Sequence, residues 1–196
     1  MTTWVGVTQR VVAGEDVLDQ AWTRFLRHCG LMPLPLPNDA DTAQRIVTEL
    51  PVAGVLLTGG NDLGVCGGDA PERDATEHAL VDLALCRHTP VIGVCRGMQV
   101  LQHHFGVPLH RVEGHVSPSV TLTVDGKPRP ANSFHNWAAT TTVAPLRTWV
   151  SGSGDVVKAV RHETAPLVGV MWHPERMTPF AAEDEELFRR VFQEES

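Results

Sequence analysis

Hydrophobic residues in the first half of the chain follow two spacings, one typical of buried strands and one typical of amphipathic helices. Short apolar runs predict strands at 4–9, 31–37, 53–57 and 90–94. After each run, apolar residues recur every three or four positions, which predicts helices at 18–29, 39–50, 71–88 and 97–105. Asp39 is suited to cap the second helix, and Pro71 to be the first residue of the third. This alternation is typical of an α/β fold with a mainly parallel, open sheet and helices on both faces.

The second half of the chain has a different pattern, in which short β-branched and apolar runs are separated by Asp-Gly, Ser-Gly and Pro turn signals. These runs predict strands at 120–124, 140–143, 149–150, 156–160 and 168–172. A closing helix is predicted at 183–192. We therefore expect antiparallel strands to be added to the sheet by the C-terminal half. Because the sequence shows no internal repeat and no long linker, we expect one domain over 1–196.

The composition is that of a globular protein, with 42% hydrophobic and 20% charged residues in a chain of 196. It argues against disordered, collagen-like and coiled-coil chains. Sixteen basic against 23 acidic residues give a net charge of −7, which argues against binding to nucleic acid polymers or to an anionic membrane and favours a small-molecule ligand. The four cysteines form no C-x-x-C pair, and neither a signal peptide nor an apolar run of about 18 residues is present. We expect a cytoplasmic protein with reduced thiols.

The first candidate for chemistry is Cys95, which lies between a predicted strand and a predicted helix in the sequence Gly93-Val-Cys-Arg-Gly97. Glycines two residues before and after it permit the sharp turn of a nucleophile elbow, which lifts the side chain out at the carboxyl end of the strand. There the positive end of the following helix would favour a thiolate, and the amide of Arg96 would be free to bind an oxyanion. Alternatively, Cys95 is a small buried residue in an ordinary turn, and a partner base should decide between these interpretations.

The candidate base is His173, which follows the predicted strand 168–172 and should leave the sheet at the same edge as Cys95. Glu175 lies two residues later and can point the same way, so that thiol, imidazole and carboxylate could form a triad. The predicted strand 53–57 is followed by Thr58-Gly59-Gly60. Because glycine lets a backbone amide approach a reacting carbonyl closely, Gly60 is the second candidate oxyanion donor. Alternatively, His173 is a solvent-exposed histidine at the end of a strand, and Thr58-Gly59-Gly60 is a simple turn between a strand and a helix.

The chain resembles the class I glutamine amidotransferase-like hydrolases, whose fold is flavodoxin-like. The resemblance rests on four ordered motifs: Leu56-Leu-Thr-Gly-Gly-Asn-Asp62, Gly93-Val-Cys-Arg-Gly-Met-Gln99, Asn132-Ser-Phe-His135 and Trp172-His-Pro-Glu175. More narrowly, it is similar to the γ-glutamyl-γ-aminobutyrate hydrolase branch, and segments 71–77 and 112–116 look like those of short γ-glutamyl-CDP-amidate hydrolases.

This resemblance implies a role for each matching residue. Cys95 would be the nucleophile, His173 the base and Glu175 its orienting carboxylate, with oxyanion amides from Gly60 and Arg96. The remaining matched positions would line the pocket for the glutamyl group; they are Gln99, Ser133, Phe134 and His135. No metal or organic cofactor is implied.

The implied activity is cysteine-dependent hydrolysis of the γ-glutamyl amide bond of a small conjugate, with release of glutamate through a thioester. We expect the substrate to be γ-glutamyl-CDP-amidate, of the capsular phosphoramidate pathway, because the chain is shorter than typical γ-glutamyl-γ-aminobutyrate hydrolases. The alternatives are a γ-glutamyl-γ-aminobutyrate hydrolase and a glutaminase subunit that delivers ammonia to a partner synthetase. The complete set of catalytic residues argues against a non-catalytic binder. Whether the protein forms a homo-oligomer, or has a synthetase or ligase as its pathway partner, stays open.

Further charged residues have two interpretations each. Three arginines either neutralise a diphosphate leaving group or are solvated surface charges; they are Arg10, Arg73 and Arg111. Three carboxylates either belong to the first turns of a helix or include a partner for the substrate amino group; they are Glu72, Asp74 and Glu77. Four histidines lie close in sequence without the spacing of zinc ligands, so we predict no metal site from them; they are His103, His104, His110 and His115.

Overall fold

The computed structural model describes residues 2–124 and 126–193 and confirms the α/β fold predicted from the sequence. The strands are β1 (Thr3–Thr8), β2 (Arg10–Val12), β3 (Glu15–Val17), β4 (Leu31–Leu36), β5 (Val52–Leu57), β6 (Val91–Val94), β7 (His110–Arg111), β8 (Val116–Val124), β9 (Lys127–Phe134), β10 (Trp137–Ala138), β11 (Leu146–Ser151), β12 (Val157–His162) and β13 (Leu167–Val170). The helices are α1 (Gln20–His28), α2 (Ala40–Glu49), α3 (Pro71–Arg87), α4 (Arg96–His104) and α5 (Ala182–Gln193).

The central sheet has seven strands in the order β11-β12-β13-β6-β5-β1-β4. Strands β4, β1, β5, β6 and β13 run parallel to one another. Strand β12 runs antiparallel to both of its neighbours, β11 and β13. The C-terminal half thus adds antiparallel strands to a parallel sheet, as the sequence predicts.

Helices cover both faces of this sheet, and each face has its own apolar core. On one face α1 and α5 contribute the aromatic side chains Trp22, Phe25, Phe188 and Phe192. On the other face α2 and α3 contribute the smaller side chains Ala43, Val47, Leu80, Val81 and Ala84. The predicted helix starts are confirmed: the Asp39 carboxylate accepts a hydrogen bond from the Thr42 amide at 2.9 Å, and Pro71 is the first residue of α3.

The strand predicted at 140–143 is wrong, because this segment has no partner strand. Its β-branched residues favour extended backbone, but the amide of Leu146 donates to the carbonyl of Val143 and closes a turn. The β2–β3 hairpin was not predicted; its turn contains Ala13 and Gly14, both with positive φ. Strand β9 was also missed, since Pro128 and Pro130 argue against a strand, yet prolines are tolerated in this two-stranded β8–β9 hairpin.

Candidate active site

Three neighbouring parallel strands place the motifs at one edge of the sheet. β5 ends just before Thr58-Gly59-Gly60, β6 ends just before Cys95, and β13 ends three residues before His173. β6 pairs with β5 on one side and with β13 on the other. The amide of Cys95 donates to the Val170 carbonyl at 2.8 Å, which fixes the cysteine to β13. The sequence expectation that these residues leave the sheet at a common edge is therefore met.

Cys95 occupies a strained turn between β6 and α4, with φ of 53° and ψ of −104°. A positive φ is uncommon for a residue with a Cβ, and it turns the side chain out of the sheet. The flanking glycines make this turn possible: a Cβ on Gly97 would lie 2.1 Å from the Leu57 carbonyl oxygen, and one on Gly93 would lie 2.5 Å from the Gly97 carbonyl oxygen. These close approaches give the geometry of a nucleophile elbow.

His173 is buried and hydrogen-bonded to Glu175, with 2.7 Å between Nδ1 and Oε1. Nδ1–H therefore donates to the carboxylate, which leaves Nε2 free at the pocket that His173 shares with Cys95. Burial would lower the pKa of His173, but the negative charge of Cys95 and the hydrogen bond and charge of Glu175 outweigh burial and raise the pKa to about 9. The raised pKa thus favours an imidazolium at neutral pH, held by the Glu175 carboxylate.

Asn132 holds the backbone of His173 and was not among the predicted site residues. Its side-chain oxygen accepts from the His173 amide, and its side-chain nitrogen donates to the His173 carbonyl, both at 2.8 Å. This reciprocal pair joins the end of β9 to the segment after β13. The signal was present in the sequence, because Asn132 is the first residue of the Asn-Ser-Phe-His motif.

The two predicted oxyanion donors flank the thiol. Gly60 and Arg96 line the same pocket as Cys95 and His173. Gly60 has a φ of 111°, which a residue with a side chain would rarely adopt. Arg96 is the first residue of α4, so its amide has no acceptor within the helix. Both predicted donors thus lie at the same pocket as the thiol.

The side chains of Arg73, Asp74, Glu77 and Arg96 form a buried ion cluster behind this pocket. Arg96 pairs with both Glu77 and Asp74, and Glu77 also accepts from Arg73 at 3.1 Å. Arg73 and Glu77 have no exposed surface, and Arg96 has 1%. Arg73 further donates to the Thr58 and Gly59 carbonyls at 2.8 and 3.0 Å. The cluster therefore joins the loop that precedes Gly60 to the first residue of α4.

This cluster decides between the alternatives that the sequence left open for its members. Arg73 is neither a solvated surface charge nor available to a substrate. Glu77 is not a partner for a substrate amino group, because Arg73, Arg96 and the Thr8 hydroxyl occupy its carboxylate. The i, i+4 spacing of Arg73 and Glu77 was visible in the sequence, but their burial was not, since it comes from contacts with β1 and with the loop after β5.

Three of the four predicted glutamyl-binding residues line the pocket beside Cys95: Gln99, Phe134 and His135. The side-chain amide of Gln99 donates to the Trp137 carbonyl at 2.8 Å, and the Phe134 carbonyl oxygen lies 3.8 Å from Cys95 Sγ. Ser133 is not brought to the pocket surface. Its hydroxyl donates to the His115 carbonyl at 2.8 Å, and Ser133 is not among the residues that line the pocket.

Arg10 and Arg176 lie at a depression next to the pocket, together with Gly60 and Glu175. Nε of Arg10 is buried and has no hydrogen-bond partner among residues 2–124 and 126–193. Arg176 is partly exposed and lies over the Phe134 ring at 5.2 Å. Arg10 thus lies where the sequence placed a candidate cation, whereas Arg111 is exposed on β7 and lines neither space. Arg176 was missed, although it follows the motif residue Glu175.

Within the part of the chain that the structure describes, no three His, Cys, Asp or Glu side chains are grouped so that they could hold a metal ion. Over the same residues, no helix has the length and apolar character needed to cross a membrane.

Curated proteins similar to this chain include hydrolases and components of amidotransferases. The γ-glutamyl-CDP-amidate hydrolase of Campylobacter jejuni subsp. jejuni is 26% identical over 184 residues, covering 88% of this chain and 90% of the relative. The γ-glutamyl-γ-aminobutyrate hydrolase of Escherichia coli O157:H7 is 28% identical over 200 residues, covering 82% and 79%. A subunit of the glutamine-hydrolysing GMP synthase of Methanocaldococcus jannaschii is 25% identical over 161 residues, covering 78% and 79%.

A solved structure supports the same fold. A protein assigned as a GMP synthase subunit, from Thermoplasma acidophilum, superposes with a TM-score of 0.75 at 18% sequence identity, over 98% of this chain and 93% of that one. The sequence profile of the Peptidase C26 family matches residues 4–117, more than half of the chain. With the fold, the elbow and this match in agreement, the chain belongs to the Peptidase C26 family of class I glutamine amidotransferase-like proteins.

Proposed function

We propose that the protein hydrolyses the γ-glutamyl amide bond of a small conjugate, with Cys95 as nucleophile, His173 as general acid and base, and Glu175 as the carboxylate that orients His173. The observation that carries this proposal is the juxtaposition of a buried, hydrogen-bonded His173–Glu175 pair with a cysteine in a nucleophile elbow. The membership in a family of γ-glutamyl hydrolases and amidotransferases supports the choice of acyl group.

In the proposed mechanism the Cys95 thiolate attacks the γ-carbonyl carbon, and the oxyanion that forms accepts hydrogen bonds from the amides of Gly60 and Arg96. His173 Nε2–H protonates the departing nitrogen, so the amine leaves and a glutamyl thioester remains on Cys95. Neutral His173 then takes a proton from water, whose oxygen attacks the thioester carbon. Collapse of this second intermediate breaks the C–S bond, releases glutamate and restores the thiolate and imidazolium.

We propose γ-glutamyl-CDP-amidate as the substrate. Two observations support this choice: the similarity to the Campylobacter hydrolase extends over 90% of that protein, and two guanidinium groups lie beside the pocket. Arg10 and Arg176 could neutralise the diphosphate of such a leaving group by charge-assisted hydrogen bonds. A neutral or monocarboxylate amine would not need both cations.

The experiment compares three substrates: γ-glutamyl-CDP-amidate, γ-glutamyl-γ-aminobutyrate and glutamine. We expect the wild-type protein to have the highest kcat/KM for the first and Cys95→Ala to release no glutamate from any. Arg10→Ala and Arg176→Ala should each raise KM for γ-glutamyl-CDP-amidate about tenfold. Only Arg10→Ala should leave glutamine turnover unchanged, because Arg176 also pairs with Glu175 at 3.5 Å. Arg45→Ala is the matched control, because Arg45 is exposed and pairs only with Glu49 among the described residues.

The results separate the parts of this proposal. Glutamate release by Cys95→Ala at more than a few per cent of the wild-type rate would refute the mechanism. Equal turnover of all three substrates, or equal effects of Arg45→Ala and Arg10→Ala, would refute the substrate but not the mechanism.

A glutaminase subunit is the second candidate, favoured by the similarity to the Methanocaldococcus GMP synthase subunit over 79% of that protein. A glutaminase of this kind would hydrolyse glutamine slowly alone and faster when a partner synthetase is added. Rapid hydrolysis of a γ-glutamyl conjugate by the isolated chain would exclude it.

A further inference from the structure

Lys158 lies inside the protein, close to the active site but outside the proposed mechanism. It is on β12 and is 4% exposed. Its ammonium contacts three acceptors: His135 Nε2 at 2.7 Å, Ser133 Oγ at 3.2 Å and His115 Nδ1 at 3.2 Å. An ammonium has three N–H donors, whereas a neutral amine has two, so this set of partners fits the charged form.

The partners of Lys158 are neutral groups. Nδ1 of His135 donates to the Trp137 carbonyl at 3.1 Å, so Nε2 is an acceptor and the ring is an uncharged imidazole. Burial and then the charge of Lys158 lower the pKa of His135 to about 3, which agrees with this tautomer. Among the described residues, no carboxylate forms an ion pair with Lys158.

A buried cation without a carboxylate is costly, and its compensating anion is expected nearby. The ionisable group that approaches this cluster is Cys95, which is anionic as a thiolate. Burial lowers the pKa of Lys158 to about 8, and the charge of Cys95 opposes this shift. The two groups contact the same short segment, because Cys95 Sγ is 3.8 Å from the Phe134 carbonyl oxygen while Lys158 contacts the residues on either side of Phe134. Because a charge interaction is mutual, a thiolate that stabilises the Lys158 ammonium is itself stabilised by that ammonium to the same extent.

We propose that Lys158 is a positioning residue of this active site: its buried ammonium stabilises the Cys95 thiolate by charge while holding His135 and Ser133 in place by hydrogen bonds. This inference rests on the proposed function of Cys95. It makes Lys158 a second cation for the thiolate, besides His173. It also explains why Ser133 belongs to a motif of the site although its hydroxyl does not reach the pocket.

The groups that face Lys158 define what a pH experiment reports. They are His115 before β8, His135 after β9, and Cys95 before α4. Strand β13 has no titratable side chain, and Arg147 of β11 pairs with Glu163. Burial lowers the pKa of His115 below its ordinary value, so both histidines are neutral at pH 7 and above. Among Lys158 and these two histidines, only Lys158 therefore changes its charge between pH 7 and 9.

The test measures the rate at which iodoacetamide alkylates Cys95, by mass spectrometry of the intact chain and its peptides, from pH 5 to pH 10. Only thiolate is alkylated, and no substrate is needed. We expect Lys158→Met to move the midpoint of the Cys95 alkylation profile upward by about one pH unit, which slows alkylation roughly tenfold at pH values below the midpoint. Lys158→Arg keeps the charge and should restore most of the shift.

The sequence offers a matched control, because its only other lysine is Lys127, which is exposed on β9. Lys127→Met should leave the alkylation profile unchanged. Ser133→Ala removes one acceptor but no charge, so it should also leave the midpoint unchanged. If Lys158→Met does not fold, Lys158→Gln, which can still donate to His135 and Ser133 but has no charge, takes its place and should show the same upward shift.

A Lys158→Met profile that superimposes on that of the wild-type protein would overturn the proposal, as would a Ser133→Ala shift equal to that of Lys158→Met. Because alkylation requires no turnover, these outcomes are independent of the substrate. If Cys95→Ala still releases glutamate, the proposed function fails; if only the alkylation midpoint is insensitive to Lys158, the role of Lys158 fails alone.

Discussion

Replacing Glu77 by Gln tests whether the buried ion cluster stabilises the fold. The substitution keeps the shape of the side chain but removes its charge, leaving Arg73 and Arg96 buried with Asp74 as their remaining carboxylate partner in the cluster. Removing one member of a buried ion pair typically costs about 3–5 kcal/mol, because the other charge stays desolvated. For a chain of this size, 1 kcal/mol corresponds to roughly 2–4 °C in Tm. We therefore expect Glu77→Gln to lower Tm by about 6–20 °C.

The assay is thermal unfolding, followed by circular dichroism at pH 7.5, with Glu72→Gln as the matched control. Glu72 lies in the first turn of the same helix but is exposed, so its loss should cost only about 0.3–1 kcal/mol of helix-dipole interaction. A Glu77→Gln protein that melts within 2 °C of the wild-type protein, or together with Glu72→Gln, would refute this reasoning.

The effect also has a predicted pH dependence. Burial would raise the pKa of Glu77, but the charges of Arg96 and Arg73 and the hydrogen bonds from Thr8 and Arg73 outweigh it and lower the pKa below 4.5, the ordinary value. A lowered folded-state pKa gives stability that is present above the unfolded value and lost as pH falls through the folded value. The Tm difference between wild type and Glu77→Gln should thus be constant from pH 5.5 to 8 and shrink below pH 4.5.

Three further predictions concern the site itself. Gly97→Ala places a Cβ 2.1 Å from the Leu57 carbonyl oxygen, so β5 and α4 must separate. We expect the free energy of unfolding, measured by thermal unfolding, to fall by about 1–3 kcal/mol. A folded variant with normal glutamate release would contradict the elbow geometry. Asn132→Ala removes both hydrogen bonds to the His173 backbone, so kcat should fall about tenfold with little change in KM; a change confined to KM would argue against a role through His173. Cys95→Ala removes the negative charge facing His173, so the imidazole should titrate well below pH 9 in a histidine NMR titration; an unchanged value would mean that Glu175 alone raises the pKa.

The first half of the fold could be predicted from the sequence because its strands and helices follow local rules. Asp39 and Pro71 mark the starts of helices, and glycines surround Cys95 where the turn requires them. The second half could be predicted only in part. The segment 140–143 has the composition of a strand but no partner, and β9 contains prolines that a central strand would not accept.

The candidate site shows the same division between local and long-range information. The positions of Cys95, His173 and Gly60 follow from the strands that precede them, so a common sheet edge could be predicted. The burial of Glu77 and Lys158 could not, because each depends on groups distant in the sequence. One signal was available: Lys158 interrupts the apolar run 156–160, where a charged residue needs a specific reason to be present.

The order of strands in the sheet has a consequence for how the protein is made. β13 is the last strand in the chain, yet it lies in the interior of the sheet between β12 and β6. During synthesis β1, β4, β5 and β6 can assemble first, and the edge of β6 then stays open until the β12–β13 hairpin docks against it. An open strand edge is a template for pairing with other chains, so we expect the nascent protein to be most prone to aggregation before this hairpin docks. Because His173 follows β13, we also expect Cys95 to gain its imidazole partner only when this hairpin has docked, so that the site forms together with the completed sheet.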